Sequence, residues 1–398
     1  MNNIYWLIIG INFFVLSSCQ SKSGRLDPIY CTELKELKKI SLPVDENTYY
    51  LSKSIFHFED QGKEFLSFGN QSKRQYATEI IIYDLNSQDI YKRFPLLREG
   101  PNAIPAAYGA VPLGSPDVFI YYQNNMRKIT LSDGDGQVIR RYQIVSPDGK
   151  PVYIPEGLSY AHYPSFMIDS VIYFAQRSGK PSVMRNEWKT IPMFAMMNLK
   201  DGKISRSSLC FPSIFDMDVK DITTGNEFVY DYNYKDKRLV CAFIEFDSLL
   251  VTDDMKNVRW YNGKSRYLKK MRPILKEGVD GFMGIKEAVE AASYSHIMYD
   301  KYRDIYYRFA EMPCELGANE YVYNDAKARE FSVIIFDKDF RIIGETKFPG
   351  NKYFYKMSFI GRDGLYISEN NEANPEFDEN KLVFACFGLQ DLKGSSSL

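Results

Sequence analysis

The chain has few of the residues from which catalytic and metal sites are usually built. Its 398 residues include only three histidines and six cysteines. No two cysteines have the Cys-x-x-Cys spacing of a zinc or redox motif. A phosphate-binding glycine-rich loop, a Gly-x-Ser-x-Gly motif and a His-Glu-x-x-His motif are also missing. These absences favour a non-catalytic protein, and they predict neither a metal ion nor another cofactor.

The charge is nearly balanced, with 50 basic and 51 acidic residues. This balance gives no electrostatic basis for binding nucleic acid. Beyond the N-terminal segment, no apolar run approaches the roughly 20 residues that a membrane-spanning helix needs. The hydrophobic content of 45% is ordinary for a globular protein with a large core.

The N-terminal segment has the form of an export signal. Its apolar stretch, Ile4 to Leu16, is too short to span a membrane, and small residues follow it. Leu16-Ser17-Ser18-Cys19 resembles the lipobox of bacterial lipoproteins, in which the cysteine is lipidated and becomes the new N-terminus. The alternatives are an uncleaved anchor or a plain signal peptide with a chance cysteine. No Lys or Arg precedes the apolar stretch, which departs from the usual pattern.

We therefore predict a signal peptide at 1–18 and a lipidated tether at 19–36. The protein would lie in the cell envelope, anchored by lipid on Cys19 to the outer membrane, on its periplasmic or its surface face. Five cysteines remain, and their pairing stays open: Cys31, Cys210, Cys241, Cys314 and Cys386.

A repeated unit predicts the fold. Strand-like segments that end in proline recur every 52 to 76 residues, at Pro43, Pro95, Pro147, Pro212, Pro273 and Pro349. Proline is tolerated at a strand end because its missing N–H breaks no ladder there. A strand, an Asn/Asp/Gly turn and a second strand precede each later proline, which is the signature of a β-hairpin. The sequence therefore predicts an all-β protein built from repeats.

The two ends of the repeat are incomplete and complement each other. Lys38–Leu42 has no hairpin before it, whereas the last unit, which begins at Leu382, lacks its return strand. We predict that residues 38–42 close the last unit, giving a six-bladed β-propeller over 37–394. An open β-solenoid, two β-sandwiches or seven blades are the alternatives. Apolar residues at helical spacing predict a short helical insertion at 281–294, and 395–398 reads as a disordered tail.

The lipobox, the six units and the ending Asn370-Asn371-Glu372-Ala373-Asn374-Pro375 together resemble a known family. It is the Bacteroides-type family of six-bladed, TolB-like β-propeller lipoproteins, catalogued as a domain of unknown function. The resemblance implies a propeller in the cell envelope and transfers no catalytic residues.

The best candidate site lies where each repeat begins, beside the predicted central channel. Aligning these segments predicts a polar ring that binds a sugar, a peptide or a metal ion. The alternative is that these groups only solvate a water-filled channel. The candidate residues are Ser52, Gly109, Tyr160, His162, Tyr294, His296 and Lys356.

Other polar motifs have simpler interpretations. Asp133-Gly134-Asp135-Gly136 lacks the later ligands of a calcium loop and predicts a hairpin turn. The paired acids Asp253-Asp254 and Glu59-Asp60 predict solvated loops, and His57 predicts a packed strand residue. The leading hypothesis is a lipid-anchored binding module. The alternatives are a hydrolase or lyase acting on a polysaccharide or peptide at the channel mouth, or a scaffold for an envelope protein.

Overall fold

The computed structural model describes twelve stretches of the chain. They are 26–48, 51–71, 77–105, 107–112, 118–123, 128–143, 164–176, 190–212, 228–269, 271, 289–315 and 326–392.

The described residues form an all-β structure. The strands of the first half are β1 (Thr32–Pro43), β2 (Leu51–Asp60), β3 (Lys63–Gln71), β4 (Ala77–Asp84), β5 (Asp89–Pro95), β6 (Ala107–Pro112), β7 (Val118–Gln123), β8 (Lys128–Asp133), β9 (Val138–Gln143), β10 (Phe166–Ile168), β11 (Val171–Ala175) and β12 (Phe194–Asn198). Those of the second half are β13 (Ile204–Arg206), β14 (Phe228–Asn233), β15 (Arg238–Phe243), β16 (Ser248–Thr252), β17 (Arg259–Asn262), β18 (Ser293–Asp300), β19 (Ile305–Glu311), β20 (Phe331–Phe336), β21 (Ile342–Phe348), β22 (Phe354–Ile360), β23 (Leu365–Ser368) and β24 (Lys381–Asp391). A short 3-10 helix spans Ala326–Ala328.

The strands pair as four-stranded antiparallel groups in chain order. The first group is β2–β5, the second β6–β9, the third β10–β13, the fourth β14–β17 and the fifth β18–β21. The sixth group combines β22, β23 and β24 with the N-terminal strand β1. Single bridges join two pairs of groups, Ala77 to Ala107 and Thr32 to Gly344.

The predicted pairing of residues 38–42 with the segment after Leu382 is confirmed. In the antiparallel ladder Lys38 lies opposite Cys386, and Leu42 lies opposite Leu382. The ladder continues back to Thr32, which lies opposite Asp391. The predicted tether of 19–36 is therefore too long. Alternation of buried and exposed residues at Thr32, Glu33 and Leu34 already makes this segment a strand.

Apolar clusters fill the spaces between neighbouring groups. Phe58 and Ile80 of the first group pack with Ala107 and Ala110 of the second. A large cluster continues through the third, fourth and fifth groups, with Phe174, Tyr230 and Tyr306 among its members. Leu34 joins the fifth group to the sixth, and Leu42 joins the sixth to the first. Each group is thus held to the next, and the last to the first, by burial of aromatic and aliphatic side chains.

Side chains of Asp and Asn shape the turns. The Asp133 carboxylate accepts hydrogen bonds from the backbone N–H groups of Asp135 (3.0 Å) and Gln137 (2.8 Å). Gly136 adopts a positive φ of 79°, which glycine reaches without strain. The predicted hairpin turn is confirmed in this way.

The predicted helix at 281–294 is only partly testable, because 281–288 lies outside the described residues. Residues 289–290 are helical, but Ser293 and Tyr294 already belong to β18, so the predicted end is too late. Among the described helices, none has the length and apolar character needed to cross a membrane.

Candidate functional site

Several predicted site residues lie where the first strand of a group begins. Ser52 is in β2, Gly109 in β6, His296 in β18 and Lys356 in β22. We call the end of the molecule at which β18 and β22 begin the mouth. Tyr160 and His162 lie outside the described residues, as do Cys19 and the side chain of Ser52.

His296 is completely buried at the mouth. Its Nδ1 lies 2.9 Å from the Ser295 hydroxyl, and its ring lies 4.9 Å from the Phe309 ring. Burial lowers the pKa of His296 to about 3; Glu311 acts against this shift and Lys356 adds to it. The imidazole is therefore neutral at physiological pH.

Glu311, at the end of β19, is the centre of the cluster around His296. It is 5% exposed. One of its carboxylate oxygens accepts hydrogen bonds from the Ser293 hydroxyl (2.8 Å) and the Arg329 guanidinium (2.7 Å). Burial opposes ionisation, but Arg329, then Lys356 and the hydrogen bonds, hold the pKa of Glu311 at about 2. Glu311 is therefore a fixed negative charge.

Arg329 and Tyr355 complete this cluster. The Arg329 guanidinium also donates to the carbonyl of Met312 (2.7 Å) and to that of Ala291. Tyr355 is hydrogen-bonded to Glu311, and burial, then the nearby carboxylate, raises its pKa well above the usual value. Sequence reasoning missed Ser293, Glu311, Arg329 and Tyr355. The available signal was a strand-like segment, Ile305–Glu311, that ends in a glutamate.

Tyr294 has a different environment from its predicted neighbours. Its hydroxyl donates to Asp247 (2.6 Å), and the Arg308 guanidinium lies 3.4 Å from its ring centroid. Arg308 is fully buried and donates to backbone carbonyls of the fourth group, among them Gly263 (2.9 Å) and Phe246 (2.6 Å). Burial lowers the pKa of Arg308 to about 10. Tyr294 thus packs between the fourth and fifth groups, and its hydroxyl is already hydrogen-bonded to Asp247.

The turns that follow the first strands meet at the opposite end of the molecule. Glu59 lies next to the β2–β3 turn and accepts hydrogen bonds from Lys301 (2.9 Å), Tyr302 (2.7 Å) and Arg362 (2.8 Å). These donors come from the β18–β19 and β22–β23 turns. Lys235 of the β14–β15 turn pairs with Asp304 at 2.5 Å. Ion pairs therefore tie together the turns of four groups.

The remaining acidic residues and His57 are placed by packing and turns. The predicted solvated loop is wrong for Glu59, which belongs to the network just described. Asp253 pairs with Arg238 and Arg259, and Asp254 accepts turn N–H groups. His57 stacks on Phe359, with ring centroids 5.6 Å apart, as its predicted packed role requires.

In the described stretches, no group of three or more His, Cys, Asp or Glu side chains could hold a metal ion. An open concavity of about 610 Å³ lies beside β11 and the β12–β13 turn, lined by Val171, Asn198 and Lys203 among others.

Comparison with known proteins places the chain in a family. Residues 33–347 match the family described as "Domain of unknown function (DUF4221)". A crystal structure of a DUF4221 member from Bacteroides vulgatus is 47% identical, covers 91% of this chain and 99% of its own, and has a TM-score of 0.85. A putative exported protein from Bacteroides fragilis is 8% identical, covers 92% of this chain and 98% of its own, and has a TM-score of 0.51, a likeness of fold alone. No curated protein matches the chain.

The resemblance noted from the sequence is thus confirmed at the level of an uncharacterised domain family with Bacteroides members. The match covers most of the strands, from β1 to β21. The chain therefore belongs to the DUF4221 family.

Proposed function

We propose that this chain is a lipid-anchored, six-bladed β-propeller of the cell envelope that binds a ligand or a partner protein at the mouth. The four-stranded groups would be the blades. Support for a ring comes from the apolar clusters, which join each group to the next and the sixth group to the first. Pairing of β1 with β24 leaves the final blade with its full set of strands.

One observation carries the choice of the mouth as the binding site. Lys356 comes from a different repeat from His296 and Glu311, yet its charge acts on both, since it helps to keep Glu311 ionised and His296 neutral. Packing and further hydrogen bonds hold the polar groups of this cluster in place. A binding site needs such groups, because a preorganised group loses little entropy on binding. The opposite end offers less, since its turn residues are already paired around Glu59.

The binding proposal is tested on the soluble fragment that begins near Ser21. A glycan and peptide array identifies a ligand, and amide hydrogen exchange then locates it. We expect added protection at the starts of β18 and β22, with the β14–β15 turn as the internal control. A ligand that protects only the turn end, or an array without any binder, would refute the proposal.

The lipid anchor is tested separately in cells. Replacing Cys19 by Ala should move the protein from the membrane fraction to the soluble fraction, because a multiply acylated cysteine is a stable anchor. Cys31→Ala is the matched control, since Cys31 is half-buried beside β1 and should not affect anchoring. Tight membrane association of the Cys19→Ala protein would exclude lipidation at this residue.

A further inference from the structure

The charges of the described residues at the mouth do not cancel. Glu311 and Arg329 form a buried ion pair, and their hydrogen-bonding groups are engaged by Ser293, Tyr355 and backbone carbonyls. His296 is neutral at physiological pH. Among the described residues of this cluster, Lys356 is left as the positive charge without an ion pair, and its field reaches both His296 and Glu311.

Lys356 differs from the lysines around it. It is half-buried, and it makes no hydrogen bond or ion pair with any residue that the structure describes. Lys352 lies four residues earlier, just before β22, and pairs with the buried carboxylate of Glu369 at 3.4 Å. Lys39 binds the same carboxylate at 2.8 Å. An ammonium that makes no ion pair of its own with the described residues can take an anionic ligand as its partner.

The charge on offer restricts the anion. Arg329 already neutralises Glu311, so Lys356 supplies a single positive charge, which a monoanion balances and a dianion exceeds. A single ammonium is also a point charge, without the bidentate fork that arginine offers to phosphate. These two features favour one carboxylate over a phosphate group.

We infer that the mouth recognises a carboxylate-bearing ligand and that Lys356 is the residue that binds the carboxylate. The inference rests on the proposed function, because it names the ligand class of the same site. Such a carboxylate occurs in a uronic acid of an acidic polysaccharide and at the C-terminus of a peptide.

Matched probes separate the charge from the rest of the ligand. Tetragalacturonic acid is compared with its methyl ester, and trialanine with its C-terminal amide, by calorimetric titration of the soluble fragment. We expect one acid to bind at least tenfold more tightly than its uncharged partner, and the arm that responds identifies the source. Lys356→Met should abolish that preference, whereas Lys356→Arg should keep it. Lys237→Met, at an exposed turn residue far from the mouth, is the control.

The possible results distinguish a failure of this inference from a failure of the proposed function. Equal binding of acid and neutral probes, or an unchanged preference in Lys356→Met, overturns the inference. Binding of only a neutral array ligand, with protection at β18 and β22, overturns it too while the proposed function stands. An array without any binder removes both. Melting curves of the variants check that each is folded, and Lys356→Gln replaces Lys356→Met if the latter is not.

Discussion

Leu42 offers a direct test of how the N-terminal strand holds the molecule together. Its side chain is fully buried between the sixth and first groups, in a cluster with Leu66, Phe359 and Phe384. Replacing it by Ala removes apolar contacts and leaves a cavity that close packing cannot fill. We expect a loss of about 2–5 kcal/mol in the free energy of unfolding. That is a large share of the roughly 5–15 kcal/mol that stabilises a typical domain.

Leu37 is the matched control, because it lies in the same strand but is 57% exposed. Leu37→Ala should change the free energy of unfolding by less than about 0.5 kcal/mol. Both variants are compared with the parent soluble fragment by urea denaturation. Equal midpoints for Leu42→Ala and Leu37→Ala would refute the role of β1 as a buried closing strand.

Truncations extend the same test. Removing the chain before Ile29 should be tolerated, because Ile29 makes the first backbone hydrogen bond to β21 among the described residues and the ladder with β24 begins at Thr32. Removing everything before Leu37 deletes the buried Leu34 and should lower stability clearly. Removing β1 entirely exposes the edge of β24, which invites aggregation. A fragment without β1 that melts like the parent would contradict this order.

Three more variants probe charge and close contact. Glu59→Gln should lower the free energy of unfolding, measured by urea denaturation, by about 1–2 kcal/mol. In the parent, Lys301, Tyr302 and Arg362 outweigh the effect of burial and hold the pKa of Glu59 at about 2. This stabilisation is therefore present above pH 4.5 and is lost as the pH falls towards 2. Burial lowers the pKa of His296 from its ordinary 6.5 to about 3. The free energy of unfolding of the parent should therefore decrease as the pH is lowered from 6.5, by at most about 1.4 kcal/mol per pH unit. His296→Gln should flatten this slope, and an unchanged slope would contradict the burial of His296. In Gly344→Ala the new Cβ would clash with the Thr32 carbonyl oxygen, which should lower the free energy of unfolding by about 1–3 kcal/mol. Gly388→Ala should lower it less, because its new Cβ meets the exposed side chain of Leu37. The reverse order of melting temperatures would be incompatible with the β1–β21 contact.

Local turn chemistry made much of the strand pattern predictable. Asn, Asp and Gly mark the hairpins, and proline closes β1 and β5. The incomplete first and last units were enough to predict that residues 38–42 pair after Leu382. The start of β1 was harder to predict, because its charged outer face resembles a polar tether. Residues 281–294 show that a helical period does not fix where the next strand begins.

The strand positions of two candidate residues were predictable, but their contacts were not. Aligning the repeats placed His296 and Lys356 at the starts of their strands, because each repeat enters its first strand in the same way. Glu311 and Arg329 lie on other segments, and their meeting depends on how β19 and the β20 entry pack. Glu59 likewise binds residues more than 240 positions away. Spacing along a sequence carries no information about such contacts.

Pairing of β1 with β24 also has a consequence for synthesis. Thr32 is made among the first residues of the chain and Asp391 among the last, so their ladder has a very high contact order. Until the C-terminal strand exists, β1 has no antiparallel partner, and the earlier units must form around an open edge. The sixth group can therefore be completed only after β24 has been made, and a chain that stalls before residue 381 leaves Leu34, Ile40 and Leu42 without the strand that pairs with β1. Such a chain exposes apolar surface of the kind that chaperones and proteases recognise, so truncated products would be removed before they associate.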